Sequence, residues 1–323
     1  MIITNTPYDD VFRTLLNDCS ALIIPVINEM FGECYAGDEK IVFAPNEHFL
    51  NREDGEEQER ITDTSFKIIG TETKKYHLEC QSSPDDSMLV RFFEYDTQIA
   101  LDEGEIRENV LTVTLPHSAA LFLRCRQTTP DKMGIRIITP GGSVFYEIPV
   151  MKLQKYTLAE IFEKELLFLI PFYIFSHESR FMEYNKDTTK MEPLLKEYEK
   201  IKNHLEELLN TGKITEYTKC TITDMAGKVL EHIAEKYENV KKGVSSVMGG
   251  KVLEYEAKTI RNEGIQEGIK EGMQEGLQKG LQKGRLEVLF DLVRDNLLSI
   301  KDAASQAKLT EETFREKMMD SGR

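Results

Sequence analysis

Two carboxylates and an amide within one short segment have the spacing of a divalent-metal site. The segment covers residues 60–83 and contains Asp63, Glu79 and Gln81. Its central glycine and polar residues predict a two-stranded hairpin that turns at residues 70–75. Side chains alternate between the two faces of a strand, so residues of odd number share one face of this hairpin. The two acids and the amide are therefore predicted to lie side by side.

The same alternation sorts the other residues of the hairpin. The apolar face consists of Phe66, Ile68, Tyr76, Leu78 and Cys80. The polar face consists of Asp63, Ser65, Lys67, His77, Glu79 and Gln81. A hairpin centred near residue 72 places Asp63 opposite Gln81 and diagonal to Glu79, at separations of about 5–8 Å. This spacing suits one hard cation between the carboxylates, whereas the alternative is an amphipathic hairpin with a solvated acidic face.

Carboxylates on adjacent strands repel each other unless a cation or a proton lies between them. Oxygen ligands suit Mg²⁺, which binds few protein carboxylates and keeps several waters. A cation at this position can activate water and stabilise a phosphoryl oxygen, which is the chemistry of phosphodiester hydrolysis. The hairpin therefore predicts Mg²⁺, or another divalent cation, as the cofactor.

The order Asp63, loop, Glu79-Cys80-Gln81 resembles the metal-binding signature of PD-(D/E)XK nucleases, in the variant where Gln replaces the motif Lys. More narrowly, the chain resembles the bacterial recombination-promoting nuclease and putative transposase family. The resemblance implies that Asp63 and Glu79 bind the metal and that Gln81 positions water or the scissile phosphate. The chain departs from the motif at Thr62, which occupies the position of the Pro.

Further candidates follow from the same resemblance. An Arg followed by a Tyr just beyond the Glu-x-Gln belongs to the family pattern, so Arg91 and Tyr95 are candidate DNA contacts. The alternative for Arg91 is an ion pair with its neighbours Glu94 or Asp96. Members of the wider superfamily place an acid on the first helix near the metal. Weaker candidates are Asp10 and Glu29 for that role, each with a solvated helix carboxylate as the alternative, and Lys67 as a positive charge on the polar face.

Hydrophobic periodicity predicts the elements that position these residues. In chain order they are a helix at 9–31, a strand at 40–44, the hairpin, a helix at 87–101 and a strand at 119–125, with a polar connection at 46–59. This order matches the αβββαβ core of PD-(D/E)XK nucleases. We therefore expect an α/β (α+β) fold with a restriction-endonuclease-like core and a mixed sheet. A second hairpin at 134–139 and 143–149 and an apolar helix at 157–175, broken at Pro171, are expected to cover it.

The remaining chain is predicted to be helical. We divide it into a nuclease-like domain at 1–180, a helical region with a linker at 181–250, a glycine-repeat helix at 251–298 and a helix-turn-helix-like tail at 299–323. The repeat places six glycines four residues apart, at Gly264, Gly268, Gly272, Gly276, Gly280 and Gly284. A ridge of small residues favours close helix approach, so the repeat predicts a homo-oligomer; the alternative is a low-complexity spacer. The tail is either a DNA reader or a packing unit.

Composition limits the class of protein. The net charge of −15 disfavours nonspecific nucleic-acid binding, so a nuclease needs a metal and a local basic patch. The odd number of cysteines, five, without Cys-x-x-Cys spacing, fits free thiols in a reducing compartment. The most apolar run, residues 166–175, is too short to span a membrane and contains Pro171. We therefore expect a cytoplasmic protein without a membrane segment.

Together these observations predict a metal-dependent DNA endonuclease with DNA as its partner, linked to DNA recombination or to mobile elements. The acidic head and the glycine repeat leave a second hypothesis open, that of a catalytically inactive nuclease-fold scaffold that binds DNA or protein. The six histidines are scattered, and only His77 lies on the predicted active face, where we expect it at the surface.

Overall fold

The computed structural model describes residues 7–43, 47–51, 57–61, 65–82, 87–248, 286, 288–294, 297–307 and 309–320. The chain divides into two compact units, Met1–Val252 and Leu253–Arg323. Residues 62–64, and with them the candidate ligand Asp63, lie outside the described residues, as does the glycine repeat at 264–284.

The N-terminal helix is divided in two. Helix α1 (Pro7–Asp18) is followed by a 3-10 turn (Ser20–Leu22) and helix α2 (Ile23–Phe31). The prediction of one helix over 9–31 is therefore wrong. The reason is Pro25, which has no N–H to continue the hydrogen-bond ladder and is tolerated only in the first turn of a new helix. Helix α2 ends at Gly32 in the left-handed conformation.

A mixed sheet of six strands forms the centre of the described part of the first unit, in the order β1-β4-β5-β8-β10-β9. The first three strands are antiparallel neighbours, β8 is parallel to both β5 and β10, and β9 is antiparallel to β10. The strands are β1 (Lys40–Phe43), β4 (Ser65–Ile69), β5 (Thr73–Gln81), β8 (His117–Phe122), β9 (Lys132–Thr139) and β10 (Gly142–Lys152). The predicted mixed α/β (α+β) class is confirmed.

The segment expected to be a polar connection at 46–59 instead contains most of a separate antiparallel hairpin, β2 (Glu47–Asn51) and β3 (Glu57–Ile61). Arg60 and Ile61 therefore belong to β3 and not to the hairpin that carries Glu79. A further small hairpin, β6 (Glu105–Arg107) and β7 (Val110–Thr112), lies between α3 (Met88–Leu101) and β8. Both hairpins are insertions between elements of the expected αβββαβ order.

The β4–β5 hairpin has the predicted sidedness with a shifted register. Ser65 pairs with His77 and Ile69 with Thr73, so the centre is residue 71 rather than residue 72. A shift of the centre by one residue moves each pairing by two positions, and side chains repeat every two residues, so no side chain changes face. The predicted apolar face is confirmed, since Phe66, Ile68, Tyr76, Leu78 and Cys80 are all buried in the main core.

Helices cover both faces of the sheet. Helices α1 and α2 and a 3-10 segment (Leu167–Arg180) belong to the main core on one face. Helix α3 covers the other face, where Met88 and Phe92 pack with Phe122 and Ile148 in a second, smaller core. The polar face of the β4–β5 hairpin lies on this second side, beneath α3.

The segment after the sheet confirms one prediction and corrects another. The hairpin at 134–149 is present as β9 and β10. The helix expected at 157–175 is instead α4 (Leu158–Glu163), capped by Thr157, followed by the 3-10 segment. The change of direction occurs at Glu165, whose φ of 54° cannot continue an α-helix.

A helical layer completes the first unit with α5 (Phe181–Lys186), α6 (Glu192–Asn210), α7 (Glu216–Ile233) and α8 (Glu238–Met248). Residues 243–248, which belong to the region at 181–250 where we expect a linker, are instead the last turns of α8. A Cβ on Gly243 would lie 2.3 Å from the end of the Met191 side chain. The glycine therefore permits close packing of α8, which is a different reason from flexibility.

The second unit is a small helical cluster. Residues 288–294 are helical (α9) and are followed by α10 (Ile300–Ala307) and α11 (Glu311–Asp320). The hydroxyls of Ser299 and Thr310 accept hydrogen bonds from the backbone N–H groups of Asp302 and Thr313, so these two residues cap the N-termini of α10 and α11. The core of this unit consists of Leu289, Phe290, Ala303, Ala304 and Phe314. Across all the described residues, no helix is long and apolar enough to cross a membrane.

Candidate active site

Glu79 and Gln81 lie on the same face of β5, as the alternation predicted, and helix α3 buries them. Glu79 is 0% exposed and Gln81 is 8% exposed. The alternative of a solvated strand face is therefore wrong for these two residues. The sequence of α3 explains this burial, because its side chains Phe92 and Tyr95 pack against this face of the sheet.

The Glu79 carboxylate is held by a cation from α3. The Arg91 guanidinium lies 2.8 Å from Oε2 of Glu79, and the Gln81 amide donates to the same oxygen over 3.4 Å. The second oxygen, Oε1, lies 3.5 Å from Nε2 of His77. Arg91 is thus paired with Glu79 on β5. The sequence had suggested a DNA contact or an ion pair with a neighbouring acid of its own helix, and neither interpretation named Glu79. A charge-assisted bond of this kind fixes the direction of the carboxylate.

A second carboxylate completes the cluster. Oδ1 of Asp96 lies 2.7 Å from Nδ1 of His77 and accepts a hydrogen bond of 2.6 Å from the Ser118 hydroxyl. Its other oxygen accepts a weaker bond of 3.4 Å from the Tyr146 hydroxyl. Asp96 is 0% exposed, and its position is fixed from three elements, β5, β8 and β10.

The two carboxylates determine the charge of His77. Burial alone lowers the pKa of this imidazole, but the hydrogen bond with Asp96 and the nearby negative charge of Glu79 outweigh burial and raise the pKa to about 9. His77 is therefore an imidazolium at neutral pH. Two acids, Glu79 and Asp96, then face two cations, His77 and Arg91, so the buried cluster is close to electrically balanced.

Sequence reasoning located Glu79 and Gln81 but placed His77 at the surface, and it missed Asp96 as a buried group. The signal for Asp96 is visible in the periodicity of α3. Asp96 is four residues after Phe92 and three before Ile99, so it stands on the buried side of the helix. An acid at a core position of an amphipathic helix requires a buried partner, and the one histidine on the polar face is that partner.

The other candidates are spread over the molecule. Tyr95 is buried, with its ring centroid 6.0 Å from that of His77. Lys67 forms an ion pair of 2.6 Å with Glu103, which also binds Lys75. Lys67 and Lys75 lie opposite each other in the hairpin, two residues along from the pair formed by Ser65 and His77. Positive charge therefore continues along the same face of the hairpin.

The two acids proposed from the first helix do not join this cluster. Glu29 lies on α2, where it accepts hydrogen bonds from Tyr156 and Lys164. Asp10 is exposed on α1, a helix that packs against α7. The structure therefore brings together Glu79, Gln81, Arg91 and Tyr95 and leaves Asp10 and Glu29 elsewhere.

An arginine beyond the cluster fixes the end of β5. Arg124 forms a bidentate ion pair with Glu178, with distances of 2.6 and 2.8 Å, and donates to the backbone carbonyl of Ser82 over 2.7 Å. Its guanidinium lies 4.7 Å from the centre of the Phe175 ring. Because Ser82 directly follows Gln81, this clamp holds the strand end that presents the candidate site.

We expect Arg124→Met to lower the free energy of unfolding by about 2 kcal/mol, because it removes three charge-assisted hydrogen bonds and leaves Glu178 without this partner. Urea unfolding followed by circular dichroism measures the change. The matched control is Arg180→Met, whose guanidinium lies 4.9 Å from the Tyr184 ring centre. An equal effect of the two substitutions would contradict the clamp.

The donor set suits a hard cation only in part. Glu79 and Gln81 supply the oxygen ligands that Mg²⁺ prefers. However, in the ranges that the structure describes, no group of three or more His, Cys, Asp and Glu side chains is arranged to hold a metal. A metal site at Glu79 therefore depends on a ligand from residues that are not described, such as Asp63.

The fold and the cluster define a mixed α/β protein with a buried carboxylate, histidine and arginine centre between a sheet and a helix. In comparisons with known proteins, no family model, no curated protein and no solved structure matches this chain.

Proposed function

We propose that this protein is a Mg²⁺-dependent DNA endonuclease of the PD-(D/E)XK type, with a restriction-endonuclease-like core. The observation that carries the proposal is the placement of Glu79 and Gln81 on one inward face of β5, with Arg91 directed at the same carboxylate. Surface acids of an amphipathic hairpin have no need of such an arrangement, because only a buried carboxylate requires a cation and hydrogen bonds to offset the loss of its hydration.

The order of elements supports the proposal. Without the two inserted hairpins, the described chain runs α2, β1, β4, β5, α3, β8, which is the αβββαβ order expected from the sequence. The four strands of this series are also neighbours in the sheet. Glu79 and Gln81 stand near the end of the third of these strands, which is one of the two central strands of the four.

In the proposed site, Asp63 and Glu79 bind the divalent cation. The bound cation supplies activation of water and stabilisation of charge on a phosphoryl oxygen. Gln81 then orients water or the scissile phosphate through its amide. Arg91 exchanges its bond to Glu79 for a DNA phosphate, since guanidinium binds phosphate oxygens in the same bidentate geometry as carboxylate. Tyr95 supports Arg91 one turn further along α3.

A second function remains supported by one observation. The 2.8 Å ion pair between Arg91 and Glu79 already compensates the carboxylate without a metal. A chain that has lost catalysis would keep its fold stable through this ion pair, because Arg91 balances the buried charge of Glu79. The second candidate is therefore an inactive nuclease-fold scaffold that binds DNA or protein.

The proposal extends to location and assembly. We propose a cytoplasmic protein with a role in DNA recombination or in mobile-element biology, which acts on DNA as its partner. The five cysteines, all of them free thiols, are compatible with a reducing compartment. Self-association through the glycine-repeat helix stays a prediction from the sequence, as does DNA recognition by the helical tail.

Plasmid cleavage separates the two functions. Purified protein is incubated with supercoiled plasmid and Mg²⁺, Mn²⁺ or Ca²⁺ separately, beside Asp63→Ala and Glu79→Ala. We expect nicking in Mg²⁺ or Mn²⁺ that both substitutions abolish, because each removes a metal ligand. Nicking that survives in both variants would mean a contaminant or another active site, and would contradict the site at Asp63 and Glu79. No nicking in any metal, by folded protein that still retards DNA in a gel, would favour the scaffold.

A further inference from the structure

The β6–β7 hairpin exposes an unusual amount of apolar surface. All six of its strand residues are exposed, and Ile106 is the most exposed of its apolar residues at 76%. Its two turn residues, Glu108 and Asn109, have φ values of 50° and 67°, which is typical of a tight primed turn. An isolated two-stranded hairpin is only marginally stable in water, so a hairpin of this kind gains from a further strand.

The first strand of this hairpin has a sequence that is complementary to itself. Strand β6 reads Glu105-Ile106-Arg107, and β7 is its single neighbour among the described strands. An antiparallel copy of β6, related by a two-fold axis through Ile106, places Glu105 opposite Arg107 of the copy and Arg107 opposite Glu105 of the copy. Opposite charges directly across an antiparallel pair are stabilising, and this arrangement provides two such pairs.

We propose that two copies of this chain associate through β6, which forms a continuous four-stranded antiparallel sheet from two hairpins. In this sheet Ile106 meets Ile106 of the second copy at the axis. Leu111 pairs with Ile106 within each hairpin, so the four aliphatic side chains form one row across the same face. The opposite face carries the two Glu105–Arg107 pairs.

The apolar surface needed for a dimer continues from the hairpin onto α3. A Cβ on Gly104 would lie 3.1 Å from the Leu111 side chain and 3.3 Å from both the Val113 side chain and the Leu101 carbonyl oxygen, so the base of the hairpin is close to the last residue of α3. Leu101 and Val113 at the base of the hairpin, and Phe93 on α3, are each more than 40% exposed. A stable dimer buries about 800 Å² per partner, which three residue pairs alone do not reach, and these side chains provide further area.

The proposal is independent of the nuclease proposal, since none of the residues of the candidate active site takes part. It is also distinct from association through the glycine repeat. Within one chain Glu105 and Arg107 already form an exposed ion pair of 2.7 Å, with the two side chains 64% and 81% accessible. Such a surface pair contributes little to stability, so changing either residue leaves the monomer close to its original stability.

Disulfide trapping tests the proximity of the two axial residues. Directly opposite residues of an antiparallel pair have Cα atoms about 4.5–5.5 Å apart, which lies within the range of a disulfide. We expect Ile106→Cys in the full chain to form a covalent dimer under mild oxidation, and dithiothreitol to reverse it. The matched control is Ile138→Cys, at a position that is 78% exposed on β9, and the wild type gives the background from its own thiols. Equal trapping of the two variants would overturn the proposal.

Charge reversal tests the pairing itself. We expect Glu105→Arg and Arg107→Glu, each alone, to weaken self-association in sedimentation velocity by about tenfold or more, because each converts both opposite-charge pairs into like-charge pairs. The double variant Glu105→Arg/Arg107→Glu restores both pairs and should regain wild-type association. Wild type that is monomeric at all accessible concentrations, single variants that associate as wild type does, or a double variant that fails to recover would each refute pairing through β6.

Discussion

The substitution Glu79→Gln should reduce Mg²⁺-dependent plasmid cleavage by about a thousandfold. The expected size follows from the several kcal/mol that a bound cation contributes to charge stabilisation in the transition state, at about 1.4 kcal/mol for each factor of ten. Gln keeps the shape of Glu and loses the charge, so the substitution removes a metal ligand with little change of volume. Initial rates of nicking under saturating Mg²⁺ measure the effect.

The same substitution also breaks the buried ion pair with Arg91, so a loss of activity could follow from a loss of structure. We expect Glu79→Gln to destabilise the fold by about 2 kcal/mol, since removal of one member of a buried pair leaves the other charge insufficiently compensated. The second variant, Arg91→Met, should be destabilised for the same reason. The double variant Glu79→Gln/Arg91→Met replaces the pair by neutral groups and should recover at least 1 kcal/mol relative to the sum of the single effects.

The DNA dependence of the variants separates the two roles of Glu79. If Glu79 is a metal ligand, the double variant regains stability in urea unfolding and remains inactive at every DNA concentration, whereas Arg91→Met alone, which loses a phosphate contact, nicks again at high DNA concentration. If Glu79 is only structural, the double variant nicks at high DNA concentration as Arg91→Met does, and the metal-ligand role is lost. The matched control is Glu183→Gln, which breaks the 2.6 Å pair with Lys190 on another element and should leave nicking unchanged.

The sequence correctly predicted which side chains share each face of the β4–β5 hairpin, because the two-residue period of a strand does not depend on the rest of the fold. The observed hairpin is centred at residue 71 instead of residue 72, which shifts each cross-strand pairing by two residues. Side chains repeat every two residues along a strand, so each residue stays on its predicted face. Burial of the polar face could not be read from the hairpin alone. It depends on α3, a helix that crosses from β5 to the parallel strand β8 and must pack on this face.

The errors in the helices have local causes that are visible in the chain. Pro25 forces a new helix start within the predicted helix at 9–31, and Glu165 turns the backbone before the 3-10 segment. In both cases apolar periodicity continued through a break in the backbone, because the side chains on both sides of the break pack in the same core. Periodicity therefore located the buried surface correctly and the element boundaries incorrectly.

The histidine was misplaced because its environment is formed by partners far apart in sequence. Asp96 is 19 residues from His77, and Ser118 is 22 residues from Asp96. Parallel pairing of β5 with β8 brings Ser118 directly beside His77. From the sequence alone, a histidine without a nearby partner is expected at the surface. His77 is buried because α3, which connects β5 to β8, brings Asp96 next to it.

The second large effect is expected at Asp96: Asp96→Asn should lower the free energy of unfolding at pH 7 by about 3 kcal/mol. Asn retains an acceptor for the Ser118 hydroxyl and for the imidazole, so the cost reflects the lost charge opposite a buried imidazolium. Urea unfolding measures it. The matched control is Asp187→Asn, an exposed N-cap of a 3-10 turn, where Asn caps as well as Asp and the expected change is below about 0.5 kcal/mol.

The pH dependence tests whether charge is the cause. The pKa of His77 is raised to about 9 in the folded protein from an ordinary value of 6.5, so the folded state holds this proton more tightly than the unfolded chain. The stability that results is fully present below pH 6.5 and is lost as the pH rises through 9. The difference between wild type and Asp96→Asn should therefore be largest near pH 6 and should shrink towards pH 9.5. A difference that stays constant across this range would mean that Asp96 acts through packing and hydrogen bonds rather than through the charge of His77.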